Sequence, residues 1–458
     1  VPTTAEPPVE RPRPIEWLLR PFAKVQRDEA PVVALLIACV FLILTSYYLM
    51  KTAREGMILT GSVFGIHGEE LKSYAGGAMA VLLLGILPIY DLLANRTRRI
   101  RVITVSYAVV IACLAAFFAL AELGVTIGLA FFVWIGIVNM FLVAQFWSYA
   151  NDLYTEEQGK RLFAIIAIGG SLGAIAGPEV AARVSTYGLL PMAAAMLVAC
   201  LALFHIIERV HDRDATDAVI AQQPIDGRGG FALLFRDRYL LLIAALVLVA
   251  ELVKTNGEYV LSSAATHHAA ALFPATAHPE LAGAARSAAI TADRRDAIKD
   301  FYSSFFFAVN IVSFAVQAFA VSRVIEKLGV RRALFVMPIV VFGAYAAIVA
   351  IGGVALVRWA KVGENSAEYS VQNTVRQSLW LPTDRAVKYK AKAAIDTFVV
   401  RLADTLSALV VWLGLHLLGL GTTGIAASNL VLVAVWLVVA VGISRRHRRI
   451  SRLQEVAP

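Results

Sequence analysis

Charge is scarce in this sequence: Asp, Glu, Lys and Arg make up 16% of its 458 residues, while 59% are hydrophobic. A soluble domain carries about 25% charged residues, so a soluble globular protein is excluded and a polytopic membrane protein is implied. Cysteine is scarcer still. Cys39, Cys113 and Cys200 all lie in apolar runs, which excludes a disulfide framework or thiolate metal site and leaves them as small packing residues. Gly169, Gly173 and Gly177, followed by Pro178, lack the Gly-Lys-Ser/Thr ending of a phosphate loop, so close helix packing is the better reading. His267, His268 and His278 read as solvated loop residues rather than metal ligands. No nucleophile–base constellation or metal-ligand cluster emerges; an enzyme, a metal site and a cofactor are not expected. No cleavable signal peptide is evident. The net charge of +9 invites a nucleic-acid reading, but the basic residues form no patch.

They follow membrane topology instead. Windows of about twenty apolar residues give twelve candidate spans: 31–58, 73–94, 100–122, 124–148, 161–182, 187–207, 239–262, 301–323, 332–353, 354–380, 391–416 and 423–443. Basic clusters occupy alternate loops, among them Arg96/Arg98/Arg99/Arg101, Lys160/Arg161, Arg323/Lys327/Arg331/Arg332 and Arg385/Lys388/Lys390/Lys392. Both tails are basic too, so both termini are expected in the cytoplasm, which requires an even number of spans. Residues 1–30 read as a Pro-rich disordered tail running into a short amphipathic helix of Ile15, Trp17, Leu18, Leu19, Phe22 and Val25. Residues 445–458 read as a basic cytoplasmic tail.

The chain has an internal repeat. The turn at 90–99, with Asp91 before Arg96, Arg98 and Arg99, matches the turn at 322–332, with Glu326 before Lys327, Arg331 and Arg332. The turn at 154–160 matches that at 381–388, again about 230 residues on. These short acidic-then-basic turns resemble those of the major facilitator superfamily. That resemblance implies two pseudo-symmetric six-helix bundles, 31–207 and 239–444, joined by a linker at 208–238 and enclosing a midplane site. The second bundle is expected to carry a long extracytoplasmic loop at 263–300.

Seven basic residues nevertheless fall inside spans: Lys51, Arg54, Lys254, Arg358, Lys361, Arg376 and Arg401. They are accompanied by Glu55, Glu251, Glu258, Glu364, Glu368, Asp396 and Asp404. A charge at bilayer depth costs roughly 2.5–3.5 kcal/mol on insertion scales, so it normally faces a cavity or a partner. Three- and four-residue steps put Tyr47, Tyr48, Lys51, Arg54 and Glu55 on one face of the first span, and Glu251, Lys254 and Glu258 on one face of the seventh. Span ten shows Arg358, Lys361, Asn365, Glu368, Gln372 and Arg376 near a 3.6-residue period; span eight adds Asn310, and span eleven Asp396, Arg401 and Asp404. Internal pairing or snorkelling accounts readily for Lys51, Arg54 and Arg376. It accounts poorly for Glu251, Lys254, Lys361, Glu364 and Arg401, which point to a polar transport pathway.

The stretch 46–60, with Lys51, Thr52-Ala53 and Arg54-Glu55, resembles the first-helix motif of the ATP/ADP translocase (nucleotide transporter) family. Stretches from Phe146 to Asp152, Lys160 to Pro178, Glu368 to Arg376 and Lys388 to Thr397 look like its bacterial members. The resemblance implies nucleotide exchange or uptake at a bacterial inner membrane, with Arg54 matching the family's first-helix lysine and Glu251 an acidic residue of its seventh helix. Thr52 replaces the motif's first aspartate, and Glu251 to Lys254 is one residue shorter than the family spacing. Tyr47, Tyr48, Lys51, Arg54, Glu55, Glu251, Lys254, Glu258, Asn310, Arg358, Lys361, Glu364, Glu368 and Arg401 are the candidate substrate-binding residues. Glu251, Asp396 and Asp404 are the candidates for a coupling proton. With seven basic against seven acidic groups, a proton-coupled carrier of another amphipathic metabolite or a lipid stays open, as does a non-transporting membrane partner or sensor.

Overall fold

The computed structural model describes residues 29–94, 99–210, 237–380, 383, 391–392 and 395–456. The expected amphipathic helix before residue 28, most of the linker and most of the basic turn at 381–388 lie outside those residues. Helices dominate what is described: α1 (Ala30–Leu59), α2 (Gly68–Ala94), α3 (Arg99–Glu122), α4 (Gly128–Leu153), α5 (Glu156–Ala181), α6 (Leu189–Val210), α7 (Arg238–Leu272), α8 (Gly283–Phe319), α9 (Val321–Ala333), α10 (Val336–Ile351), α11 (Val354–Ala367), α12 (Asn373–Ser378), α13 (Val400–Trp412) and α14 (Thr422–Val456). π-helical turns at Glu368–Gln372, Ile395–Val399 and Leu413–Leu417 interrupt the eleventh to thirteenth helices' neighbourhoods.

Local signals explain several helix starts. Pro31 sits in the first turn of α1, where its missing N–H costs nothing. Thr155 and Gln158 form a reciprocal capping box on α5, and Asp237 accepts from the Tyr239 amide at 2.7 Å to cap α7. Gly329 breaks α9 with φ 68°. Among the described residues, nine helices are long and apolar enough to cross a membrane, with a tenth if α9 and α10, bent by 82°, act as one. Outward-facing Val105, Val109, Ile339, Val431 and Val438 are exposed, as lipid contact requires.

α1 packs against α4, α5 and α6, and α7 against α13 and α14. The glycine series explains the closest of these contacts. A Cβ at Gly169 would lie 2.5 Å from the Ile37 carbonyl, one at Gly173 would meet the Phe41 carbonyl, and one at Gly177 would lie 2.6 Å from Tyr48 Cβ. Cys39 and Cys200 face each other's carbonyls across α1 and α6, small thiols in a close contact. The halves meet where α8 packs on α1 and α5, and where α13 packs on α2. The end carrying Leu59, Ala181 and Leu272 is termed distal below.

Two features depart from expectation. The segment 263–300, expected as a loop, is mostly helix, because α7 continues to Leu272 and α8 begins at Gly283. Arg295, Asp296 and Lys299 in it bond to the other half of the molecule. A two-stranded ribbon, Ser62–Val63 paired with Ile66–His67, links α1 to α2. Its tip residue Phe64 adopts φ 53° and is 99% exposed.

Candidate functional site

Glu55 of α1 is buried and held from two sides. Arg54 Nε lies at 3.0 Å and Lys72 Nζ of α2 at 2.7 Å. Lys72 also crosses to the second half, 3.6 Å from Glu258, and donates to Ser262 Oγ at 3.0 Å and to Tyr302 Oη at 3.2 Å. Sequence reasoning missed Lys72. It stands one residue before the expected second span, where a lysine is indistinguishable from an interfacial anchor; its helix in fact starts at Gly68.

In the second half, Lys254 of α7 lies 3.2 Å from Glu251 and 2.8 Å from Glu368. Arg376 approaches the other oxygen of Glu251 at 4.0 Å. Lys361 and Glu364 form a pair at 2.9 Å with the lysine wholly buried, and Tyr345 donates to Glu364 at 3.2 Å. Gly257 makes that pair possible: a Cβ there would collide with the Tyr345 hydroxyl and lie 2.6 Å from Lys361 Nζ. Arg401 pairs with Asp404 at 3.0 Å, and Thr255 of α7 donates to Asp404 at 3.3 Å. Glu251, Lys254, Glu368, Tyr369, Gln372 and Arg376 line a cavity of about 300 Å³. Side chains of Lys254, Arg376 and Glu258 stay partly exposed, so solvent reaches this region.

The stripe expected on span ten is formed in part. Glu364, Glu368, Gln372 and Arg376 line the cavity, with a π-helical turn at Glu368–Gln372 inside the stripe, as such turns often occur at functional sites. Lys361 is wholly buried in its pair with Glu364. Arg358 lies elsewhere, its guanidinium 5.7 Å from the rings of Phe301 and Trp359. It lines a separate distal cavity of about 440 Å³ with Asp293, Asp296 and Asp300. Asp396 is exposed, and among the described residues no ion pair joins it to the cleft. Tyr48 donates to Asn310 at 2.9 Å, and Asn310 donates to the Ala174 carbonyl at 2.6 Å. These two expected ligand contacts thus clip α1, α5 and α8 together. The ring of Tyr48 is also occupied, packing edge-on to Tyr47 and Phe306, so it offers no free face for stacking.

Lys51 differs from its neighbours. Among the described residues no carboxylate lies within ion-pair distance of it. Its Nζ instead sits 4.3 Å from the ring centre of Phe306, 5.3 Å from Tyr48 and 5.7 Å from Tyr47.

Toward the distal end, α8 is tied to the first half. Lys299 donates to the carbonyls of Ala181 and Val184 at 3.1 and 2.8 Å. Arg295 donates to Tyr187 Oη at 2.5 Å with its guanidinium over that ring. Asp296 accepts from the Thr186 amide at 3.0 Å and hydroxyl at 2.5 Å, and the Ser303 hydroxyl donates to the Pro178 carbonyl. A run of polar residues read as loop is thereby a seal between halves.

The chain is an all-α polytopic membrane protein with a fold of the major facilitator type. It is similar over 90% of its length to the nucleoside transporter NupG, covering 98% of that chain with TM-score 0.61 and 13% identity. Its similarity to a bacterial homologue of the iron transporter ferroportin in an inward-facing state has TM-score 0.62 at 11% identity, covering 90% and 98% of the two chains. That to a POT family transporter in complex with 5-aminolevulinic acid has TM-score 0.60 at 14% identity, covering 91% and 96%. In sequence, it is similar to ADP,ATP carrier protein 1 of Chlamydia pneumoniae, 23% identical over an alignment of 431 positions that covers 83% of this chain and 73% of that protein. No protein-family model matches the chain.

Proposed function

We propose that this protein is a secondary transporter for a phosphate-bearing organic anion, a nucleotide in ATP/ADP-type exchange or uptake. It works by alternating access between its two halves, in a bacterial inner membrane with both termini cytoplasmic. The distal ties of α8 then form the outer gate.

The observation that carries this reading is that, among the described residues, Lys51 has aromatic rings and no carboxylate within ion-pair distance. Arg54, Lys72, Lys254, Lys361, Arg376 and Arg401 each have an acidic partner. Aromatic faces each return about 0.5–2 kcal/mol to a cation but bring no counter-charge, so the Lys51 site keeps its positive charge at a depth where a charge normally faces a partner. An anionic ligand supplies that counter-charge. Arg54, one helical turn away, uses Nε on Glu55, and the rest of its planar fork suits a phosphate. Counting Lys72 in, and Arg358 and Asp396 out, the cleft holds seven basic against six acidic groups, a balance tipped toward anions. The Chlamydia carrier's name supports a nucleotide as the particular anion. Uptake of labelled ATP and ADP into proteoliposomes tests it: Lys51→Gln should reduce uptake at least about tenfold, the equivalent of about 1.4 kcal/mol. If nucleotides neither enter nor compete, the substrate assignment is wrong.

A further inference from the structure

We propose that the cavity of about 300 Å³ in the second half is a subsite for an amino group, carried by the same phosphate-bearing molecule whose anionic end meets Lys51. This rests on the anion reading above but not on the anion being a nucleotide.

Two acceptors in this cavity have no donor. Glu368 Oε2 and Gln372 Oε1 are both buried and without a hydrogen-bond partner, and Gln372 is only 6% exposed. A carboxylate can only accept, so Glu368 requires a donor whatever the orientation of the Gln372 amide. The charged donors nearby are engaged elsewhere: Lys254 bridges Glu251 and the other oxygen of Glu368, Arg376 faces Glu251, and Lys361 holds Glu364 together with Tyr345; the Trp436 indole N–H, also in the cavity wall, makes no hydrogen bond to either oxygen. An amino group has two N–H bonds and can serve both orphaned oxygens, whereas a hydroxyl serves one.

Charge points the same way. On the first half the cleft offers Lys51, Arg54 and Lys72 against Glu55 alone. On the second, Lys254, Lys361, Arg376 and Arg401 stand against Glu251, Glu258, Glu364, Glu368 and Asp404. The cleft is thus positive on one wall and slightly negative on the other, which orients a ligand that has an anionic end and a donor end. Tyr369 lines the cavity and lies within electrostatic reach of both Lys51 and Lys254, so the two subsites adjoin. The π-helical turn places Glu368, Tyr369 and Gln372 together at this point.

Equilibrium binding to the purified full chain, using two matched probe pairs, tests this. One pair is adenosine and inosine monophosphate; the other is phosphoethanolamine and ethyl phosphate. Wild-type protein should prefer the amino-bearing member of at least one pair by about tenfold, the worth of one hydrogen bond. Gln372→Leu should bring that preference toward unity without weakening the partner that lacks the amine. Glu368→Gln, which turns an acceptor into an N–H donor, should shift preference toward inosine, whose carbonyl accepts. Lys51→Gln should weaken both members of a pair alike. Equal affinity within both pairs, binding of none of the four, or a preference that survives both Gln372→Leu and Glu368→Gln would overturn the subsite. If phosphoethanolamine binds selectively and neither nucleotide binds, the subsite stands and the nucleotide assignment falls; if the nucleotides bind equally and phosphoethanolamine is not preferred over ethyl phosphate, the subsite falls and the nucleotide assignment stands.

Discussion

Lys72→Met removes the cation between Glu55 and Glu258 while retaining most of the apolar stem. Glu55 would keep Arg54 at 3.0 Å but lose its nearer partner, at 2.7 Å. Removing one member of a buried pair costs about 3–5 kcal/mol when the remaining charge is uncompensated. Because Arg54 survives, the lower end applies, about 3 kcal/mol, against under about 1 kcal/mol for an exposed pair. Neutralising both, as Lys72→Met with Glu55→Gln, should recover at least about 1.5 kcal/mol of that loss, since no unpaired carboxylate is then left inside. The assay is denaturant unfolding of the detergent-purified protein, run as a double-mutant cycle. A coupling energy below about 0.5 kcal/mol, the ordinary scatter of independent sites, would refute the idea of a buried bridge.

Gly173→Leu should separate α1 from α5, because even a Cβ there meets the Phe41 carbonyl; a loss of at least about 1–3 kcal/mol should show as reduced monodisperse yield on size exclusion. Gly257→Ala should disturb the Lys361–Glu364 pair by a similar about 1–3 kcal/mol, and adding Tyr345→Phe should restore part of the melting temperature by freeing the hydroxyl's space. An unchanged melting temperature for Gly257→Ala alone would show that α7 gives way more easily than its packing implies. In the α7–α8 connector, hydrogen bonds to Asp293 at 2.6 Å and Glu280 at 3.1 Å hold His278 above the ordinary histidine pKa, Asp293 having the larger effect. A raised folded pKa means this anchoring is complete below about pH 6.5, the unfolded value, and is lost as pH rises through the folded one. Hydrogen exchange of residues 273–282 should therefore accelerate with pH beyond its intrinsic rise, and a titrating His278 resonance with a midpoint at or below 6.5 would contradict it.

Helix-face arithmetic worked where a helix is regular. Lys51, Arg54 and Glu55 on α1, and Glu251, Lys254 and Glu258 on α7, come to the cleft as the three- and four-residue steps predict. On span ten it holds for Glu368, Gln372 and Arg376, which line the cavity, and fails for Arg358, which faces a separate distal cavity, and for Lys361, which is buried in an ion pair. It failed again at 263–300, since polar residues facing a protein partner and polar residues facing water look alike in a sequence. Lys72 was overlooked for the related reason that a charge at a span edge reads as an anchor.

The sequence by itself determined that this chain lives in a bilayer, the order of its helices, the close packing of the glycine series and the burial of charge, because each follows from local composition and helical period. Which charges neutralise one another, that Lys51 is left with aromatic rings in place of a carboxylate, and that α8 ties the distal ends together were decided only by the tertiary structure. Those outcomes depend on distances between helices far apart in the chain, where a few ångströms separate an ion pair from an unpaired charge.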